Sequence, residues 1–375
     1  MRTILRAAII ALSLAGSAAF AQTGIIDSGS ANVPVEQGAG AAFLGGSAVI
    51  APIPSENPTF GRGLALGVGY LFTLPGAKPS GFGIGGYKSE NGSEAYGLGA
   101  NIVTSGGKWR GRIFAGDANL NYDLGVGNFK IPLNQTATTA GFGADYFASK
   151  ELSLGATVTY AESTVSLNSA LLDKLPEFLR PRPELDLLVL TLGARYDTRD
   201  DVFYPTSGFM TDLLVSAGET TARLFGGRLS LPDTDYRTAL LSFSGYRPLG
   251  KDGVLAGRAV VCGSTDNTPF FVLCGLGLSD RMRGFDSTSN LANYTTSVQA
   301  EYRGRLTDRL GYVAFAGTGG KGSNLSDALS FGDRYAAGAG LRVRLSKDYA
   351  LDYSVDWAFD NKGEEYLYVY VSQRF

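Results

Sequence analysis

Leu351-Asp352-Tyr353-Ser354-Val355-Asp356-Trp357-Ala358-Phe359-Asp360 is the stretch whose reading decides the fold. Leu351, Tyr353, Val355, Trp357 and Phe359 make one apolar face, and Asp352, Ser354, Asp356, Ala358 and Asp360 make the other. Successive side chains of a strand point to opposite sides of a sheet, so strict alternation of this kind predicts a half-buried β-strand. Just upstream, Leu341, Val343 and Leu345 alternate with Arg342 and Arg344, and Ser346-Lys347-Asp348 joins the two stretches by a short polar turn. The pair reads as a β-hairpin.

The same pattern would serve a soluble β-sandwich with its apolar face inward, or a membrane barrel with its apolar face toward lipid. Strand length and loop rhythm separate the two. Alternating or β-rich stretches fall near 39–52, 61–74, 80–89, 93–105, 108–123, 136–149, 152–165, 185–199, 207–219, 234–249, 253–266, 293–307, 310–319, 335–346, 349–360 and 365–375. These make about 16 strands, an even number, and most reach the roughly 9 to 11 residues that a tilted membrane strand needs. Their connections alternate between short turns, such as 148–151, 248–252, 307–309 and 346–348, and long loops at 166–184, 220–233, 267–292 and 320–334. Short periplasmic turns on one rim and long extracellular loops on the other are the mark of an outer-membrane barrel, and a sandwich has no reason to keep that rhythm. The expected fold class is therefore all-β: a transmembrane antiparallel β-barrel over 39–375.

Composition agrees. The 375 residues hold 51 glycines and 11% aromatics but only 18% charged residues, with a formal net charge of −2. After the N-terminal region no run of 18 uncharged apolar residues occurs, which leaves a closed barrel as the way to satisfy every backbone group in hydrocarbon. The chain has no histidine. That excludes a Ser-His-Asp hydrolase, a His-ligated zinc site and histidine acid/base chemistry, so no enzyme, cofactor or metal is expected. Nothing points to nucleic acid. Cys262 and Cys274 are the only cysteines, and beyond the inner membrane a close pair forms a disulfide more often than it stays free.

The N-terminus carries Arg2 and Arg6, an apolar run from Ala7 to about Ala15, and Ala19-Phe20-Ala21 before Gln22. That is a secretory signal peptide over 1–21. A short periplasmic segment, 22–38, then precedes the barrel, and fewer than twenty residues rich in Gly, Ala and Ser cannot build a periplasmic domain. Ser169 to Pro183, with Leu171, Leu172, Leu175, Phe178 and Leu179, has the spacing of a short amphipathic helix or hydrophobic anchor in a long loop. The last stretch places Leu367, Val369, Val371 and Phe375 on one face and Tyr366, Tyr368 and Tyr370 on the other, with Gln373 as a polar departure on the apolar face. A terminal aromatic closing such a strand resembles the signal by which the barrel assembly machinery selects its clients.

Two motifs go further. Tyr196-Asp197-Thr198-Arg199, followed by Pro205-Thr206-Ser207-Gly208, resembles the strand-turn-strand signature of the BamA/TamA superfamily of bacterial surface antigens. Pro205 and Gly208 suit a tight turn there, and Asp197 and Arg199 sit where a barrel rim needs charge. The segment Pro269–Phe285, ending in Arg283-Gly284-Phe285, is similar to the long sixth extracellular loop of that superfamily, whose tip folds back into the lumen. The resemblance covers residues 190–375 well and the first half by architecture, and it implies a short branch without periplasmic POTRA domains. It also implies that acidic side chains on the next strands hold Arg283. The twelfth strand turns Thr295, Ser297, Gln299, Glu301, Arg303 and Arg305 to one face, so Glu301 points inward to where Arg283 should be, unless it pairs only with Arg303 or Arg305. Gly284 is expected at the sharp tip, where a side chain would block a positive φ or collide. Where the family offers an aspartate on the thirteenth strand, this chain reads Phe315-Ala316-Gly317-Thr318-Gly319, which predicts a lock one acidic holder short.

The resemblance implies a role in outer-membrane protein assembly, insertion or translocation. A passive pore or purely structural barrel is the competing expectation. The expected partners are outer-membrane lipid, the barrel assembly machinery during biogenesis, and an unidentified periplasmic or client protein.

Overall fold

The computed structural model describes residues 47–375 except 58, 78, 127–128, 169–181, 202–203, 225–226, 228, 270–271, 278–279, 332–333 and 347–350. The expected signal peptide, the 22–38 segment and most of the Ser169–Pro183 stretch lie outside the described residues. Sixteen long antiparallel strands form one closed sheet. In chain order they begin with β1 Ser47–Asn57, β2 Gly61–Thr73, β3 Pro79–Ser89, β4 Glu94–Val103, β5 Trp109–Val126, β6 Phe129–Phe147, β7 Leu152–Leu167 and β8 Glu184–Asp197. The second half is β9 Gly208–Leu224, β10 Thr234–Leu249, β11 Gly253–Ser264, β12 Tyr294–Arg305, β13 Leu310–Gly322, β14 Arg334–Ser346, β15 Leu351–Asp360 and β16 Glu365–Val371. Of the expected first strand, 39–52, residues 39–46 lie outside the described residues; the rest falls in β1, which runs on to Asn57. β9 reaches Leu224, so the loop expected from 220 begins later. Among the described residues no helix is long and apolar enough to cross a membrane.

Alternation assigns the two faces. Leu98, Ile113, Phe142, Leu190, Leu213, Leu241, Leu341 and Trp357 are exposed on the outside, where lipid would cover them. Near the rim of short turns, Trp109 meets Tyr146, Phe209 meets Tyr196 and Phe243, and Tyr302 meets Tyr312, with ring centroids 4.9 to 6.1 Å apart. These rings form an aromatic girdle.

At the long-loop end of β5–β8 the polarity inverts. Leu120, Tyr122, Leu124, Leu133, Val165, Leu185 and Leu187 cluster inside with Phe60, while Asp117, Thr138, Glu162 and Asp186 share the outer face in register. β5 and β6 have 18 and 19 residues, well beyond the roughly 9 to 11 that span the hydrocarbon. Their ends therefore stand in water and obey the soluble rule, apolar inside. Val272 and Leu291 of the β11–β12 loop pack against this cluster, so the loop base seals that end.

The ring closes weakly. β1 and β2 pair over all eleven residues of β1, whereas β1 and β16 share the single pair Glu56↔Val369. Pro52 and Pro54 explain this. Proline has no N–H for a ladder and is confined to strand edges. Because the ladder with β2 is unbroken, the missing donors of Pro52 and Pro54 point to the other edge, toward β16. Extending the Glu56↔Val369 register would set Val371 opposite Pro54 and Gln373 opposite Pro52. β16 instead stops at Val371, Ser372 takes φ 80°, and the last residues turn into the barrel. The expected strand end at 375 is corrected accordingly.

Candidate functional site

The loop between β11 and β12 folds back into the lumen. Its base is fixed twice: the disulfide Cys262–Cys274 ties it to the end of β11, and Cys274–Gly275 pairs with Leu291–Ala292 as a short ribbon. At its tip, Asp280 Oδ1 accepts from the N–H of Gly277 (2.7 Å) and Met282 (3.1 Å). That turn presents Arg283, which is wholly buried.

Three side chains receive the Arg283 guanidinium. Nη2 donates to Glu301 on β12, Nη1 to Asp356 on β15 (2.5 Å), and Nε to Gln299 on β12 (3.0 Å). The ring of Phe315 on β13 lies 3.5 Å from the guanidinium carbon. The acidic holder expected on the thirteenth strand is thus supplied by β15, two strands further on, and Phe315 at the expected position offers a π face instead. The lock is not short of a carboxylate. Glu301 does not choose between partners: Oε1 accepts from Arg303 (2.6 Å) while Oε2 accepts from Arg283. Burial opposes the charge on Arg283, and the two carboxylates overcome it, holding its pKa above the ordinary arginine value.

Gly284 has φ 90°, and a Cβ there would come within 2.4 Å of the Ala336 Cβ, so both reasons for glycine hold. Its N–H donates to the Tyr368 hydroxyl (3.0 Å). Phe285 is buried with Leu276, Met282 and Ala336.

The network extends toward the rim of short turns. Arg342 grips Asp356 through Nη1 (2.5 Å) and Nη2 (3.2 Å), and the Tyr370 hydroxyl donates to the same carboxylate (2.5 Å). Asp352 is shared by Arg305 (2.5 Å) and Arg344 (2.6 Å). Charges this deeply buried persist only when paired and hydrogen-bonded, and here each carboxylate meets two cations.

The C-terminal residues complete this network rather than the wall. Gln373 accepts from Arg342 Nε (3.1 Å) and donates to Asp352 (2.7 Å), so it faces inward and not the apolar face. Phe375 likewise leaves the face of Leu367 and Val369: its ring is buried with Tyr246, Val254 and Ala256, and its terminal oxygen accepts from Arg303 (2.5 Å). A fourth element comes from the β8–β9 turn. Arg199 and Asp197 pair there at 2.7 Å, Gly208 has φ 89°, and Tyr204 reaches the Arg305 guanidinium at 4.6 Å. Sequence reading placed Arg283, Gly284 and Glu301 together but missed Asp356, Arg342, Tyr370 and the tail. The inward parity of Asp356 was visible; its reach across the ring was not.

Residues 84–375 match the family described as the Omp85 superfamily domain. Comparison with curated proteins returned no significant match. Among solved structures, the chain is similar to BamA from Haemophilus ducreyi lacking POTRA domains 1–3, at TM-score 0.57 and 15% identity over 95% of this chain and 78% of that one. It is also similar to CdiB from Acinetobacter baumannii, at TM-score 0.53 and 13% identity over 88% of this chain. CdiB from Escherichia coli follows at 0.54 and 14% over 89%. The chain spans 60% and 63% of those two CdiB proteins. With a closed 16-strand barrel and a domain match over most of its length, this chain belongs to the Omp85 superfamily.

Proposed function

We propose that this barrel resides in the bacterial outer membrane and assists the assembly, insertion or translocation of other proteins there, acting at its β1–β16 seam. The observation that carries this reading is the seam itself: one residue pair, with two prolines withholding donors on β1, in a ring whose other neighbouring strands pair over seven residues or more. An edge with unmatched backbone groups is a template for another strand. Membership of the superfamily and the fold shared with BamA and CdiB support the same reading. Outer-membrane lipid would cover the apolar belt, the barrel assembly machinery would place the protein there, and the client is a protein supplying a strand. A passive pore is disfavoured by the lumen, which loop tip, tail and the β8–β9 turn occupy together.

The test is reconstitution. Vesicles containing this protein should speed the folding of a urea-unfolded outer-membrane barrel relative to empty vesicles. Cross-linking the seam through Glu56→Cys and Val369→Cys should abolish the effect, and reduction should restore it. Wide, steady conductance with no acceleration of folding would favour the pore instead.

A further inference from the structure

Arg281 lies one turn from the lock yet takes no part in it. Its backbone sits at φ 59°, a region L residues seldom occupy, held there by the Asp280 turn before it and buried Met282 after it. Its side chain is exposed to the lumen and makes no hydrogen bond or ion pair among the described residues. The surroundings are cationic. Arg374 of the tail donates through Nε to the Arg281 carbonyl (2.9 Å). Arg258 of β11 donates through Nε to the neighbouring Asp280 carbonyl (3.1 Å) and through Nη1 to Ser244 (2.8 Å). Arg195 of β8 is within electrostatic reach and bonded to Asp212 at 2.5 Å.

Four guanidinium groups therefore face two carboxylates, Asp212 and Asp280. Asp212 is already taken by Arg195, and Asp280 is committed to backbone N–H groups while burial pushes its carboxyl up toward the neutral form. Elsewhere in this lumen, among the described residues, every buried carboxylate meets two arginines. Here the sign of the imbalance is reversed, and the spare donors belong to guanidinium forks, whose geometry matches an oxyanion.

We propose that Arg258, Arg281 and Arg374 form a lumen binding site for a phosphate-type oxyanion, either a free phosphate or the phosphate of a lipid headgroup, with Arg281 as its uncommitted anchor. Such an anion would join the loop tip, the barrel wall and the C-terminal tail at one point. This site goes beyond the proposed role at the seam and does not depend on it.

The experiment uses the whole folded protein in non-ionic detergent, following the loss of heat-modifiable gel mobility with temperature. Replacing chloride by inorganic phosphate at constant ionic strength should raise the midpoint saturably, by about 2 °C once phosphate is ten times its dissociation constant. A parallel arm adds phosphatidylglycerol or phosphatidylcholine to the micelles without free phosphate. A response to phosphatidylglycerol alone assigns the site to a lipid headgroup, and a response to inorganic phosphate alone assigns it to a soluble anion. Arg281→Gly relieves the positive φ, so it should fold at least as well in chloride and lose the anion-dependent increment. An equal increment in Arg281→Gly, or no increment in either arm of the unaltered protein, would overturn the proposal.

Discussion

Arg283 is held by carboxylates on two different strands, and this sets what each substitution should do. Arg283→Ala takes one of two cations from each of Glu301 and Asp356, leaving Glu301 with Arg303 and Asp356 with Arg342. Glu301→Gln takes a carboxylate from both Arg283 and Arg303, and removing one partner of a buried pair costs about 3–5 kcal/mol. Both substitutions remove the same contact, so the double variant's loss of heat-modifiability midpoint should be well below the sum of the two single losses. Additive losses would show that the two groups do not meet. Arg283→Lys keeps the charge but not the fork, and should release the loop nearly as fully as alanine. At the rim, Asp200 accepts from the Thr206 hydroxyl (2.5 Å) and from the N–H groups of Thr206 and Ser207, and these bonds outweigh burial to hold its carboxyl below the ordinary value. A depressed folded pKa gives stability that is complete above about pH 4, the unfolded value, and is lost as pH falls through the folded one. Amide exchange at Thr206 and Ser207, corrected for its intrinsic pH dependence, should therefore hold steady above pH 4 and rise only below it. In Asp200→Asn the exchange should be raised at every pH, and a flat acid profile in the unaltered protein would remove Asp200 from this role.

Two elements depend on contacts made once and far along the chain. The short β16 follows from Pro52 and Pro54 on its neighbour, together with the inward pull of Arg342, Asp352 and Arg303 on the tail. Replacing both prolines by alanine returns two donors to the seam, each worth about 0.5–1.5 kcal/mol if matched. The variant should be harder to melt, show new protected amides in β1, and assist client folding more slowly. Unprotected amides at both positions would mean that something other than the missing donors keeps the seam short. The base of the long loop depends on Cys262–Cys274, which closes a segment of sequence separation 12. Loop-closure entropy gives such a bridge about 3 kcal/mol. Reduction should speed hydrogen exchange across Cys274–Ala292 while the wall strands keep their protection, since β11 remains laddered to β10 and β12. Loss of wall protection as well would make the bridge essential to the barrel and not only to the loop.

As a whole the molecule is a barrel whose lumen is filled from three directions and whose long-loop end is sealed by an apolar inner cluster. In planar bilayers it should pass only small, fluctuating currents, and deleting Gln373–Phe375 should enlarge them by removing the contacts of Phe375 and Gln373 beneath the lock. A large steady current before deletion would contradict a filled lumen. The strand list, the even count, the inward parity of Glu301 and the cysteine pair were all legible in the sequence, because period-2 alternation and turn chemistry are local and act within a few residues. Three things were not. Asp356 stands 73 residues from Arg283, and only closure of the ring brings β15 beside the loop tip. The final strand was read to Phe375 because its own alternation runs that far, and only the prolines of a strand at the other end of the chain refuse it. The inverted polarity of β5–β8 follows from where lipid ends, which alternation cannot state. Sequence by itself determined which residues form strands and which of them share a face; tertiary structure decided which strands meet and what each face meets, because pairing across a closed ring joins residues that no local pattern relates.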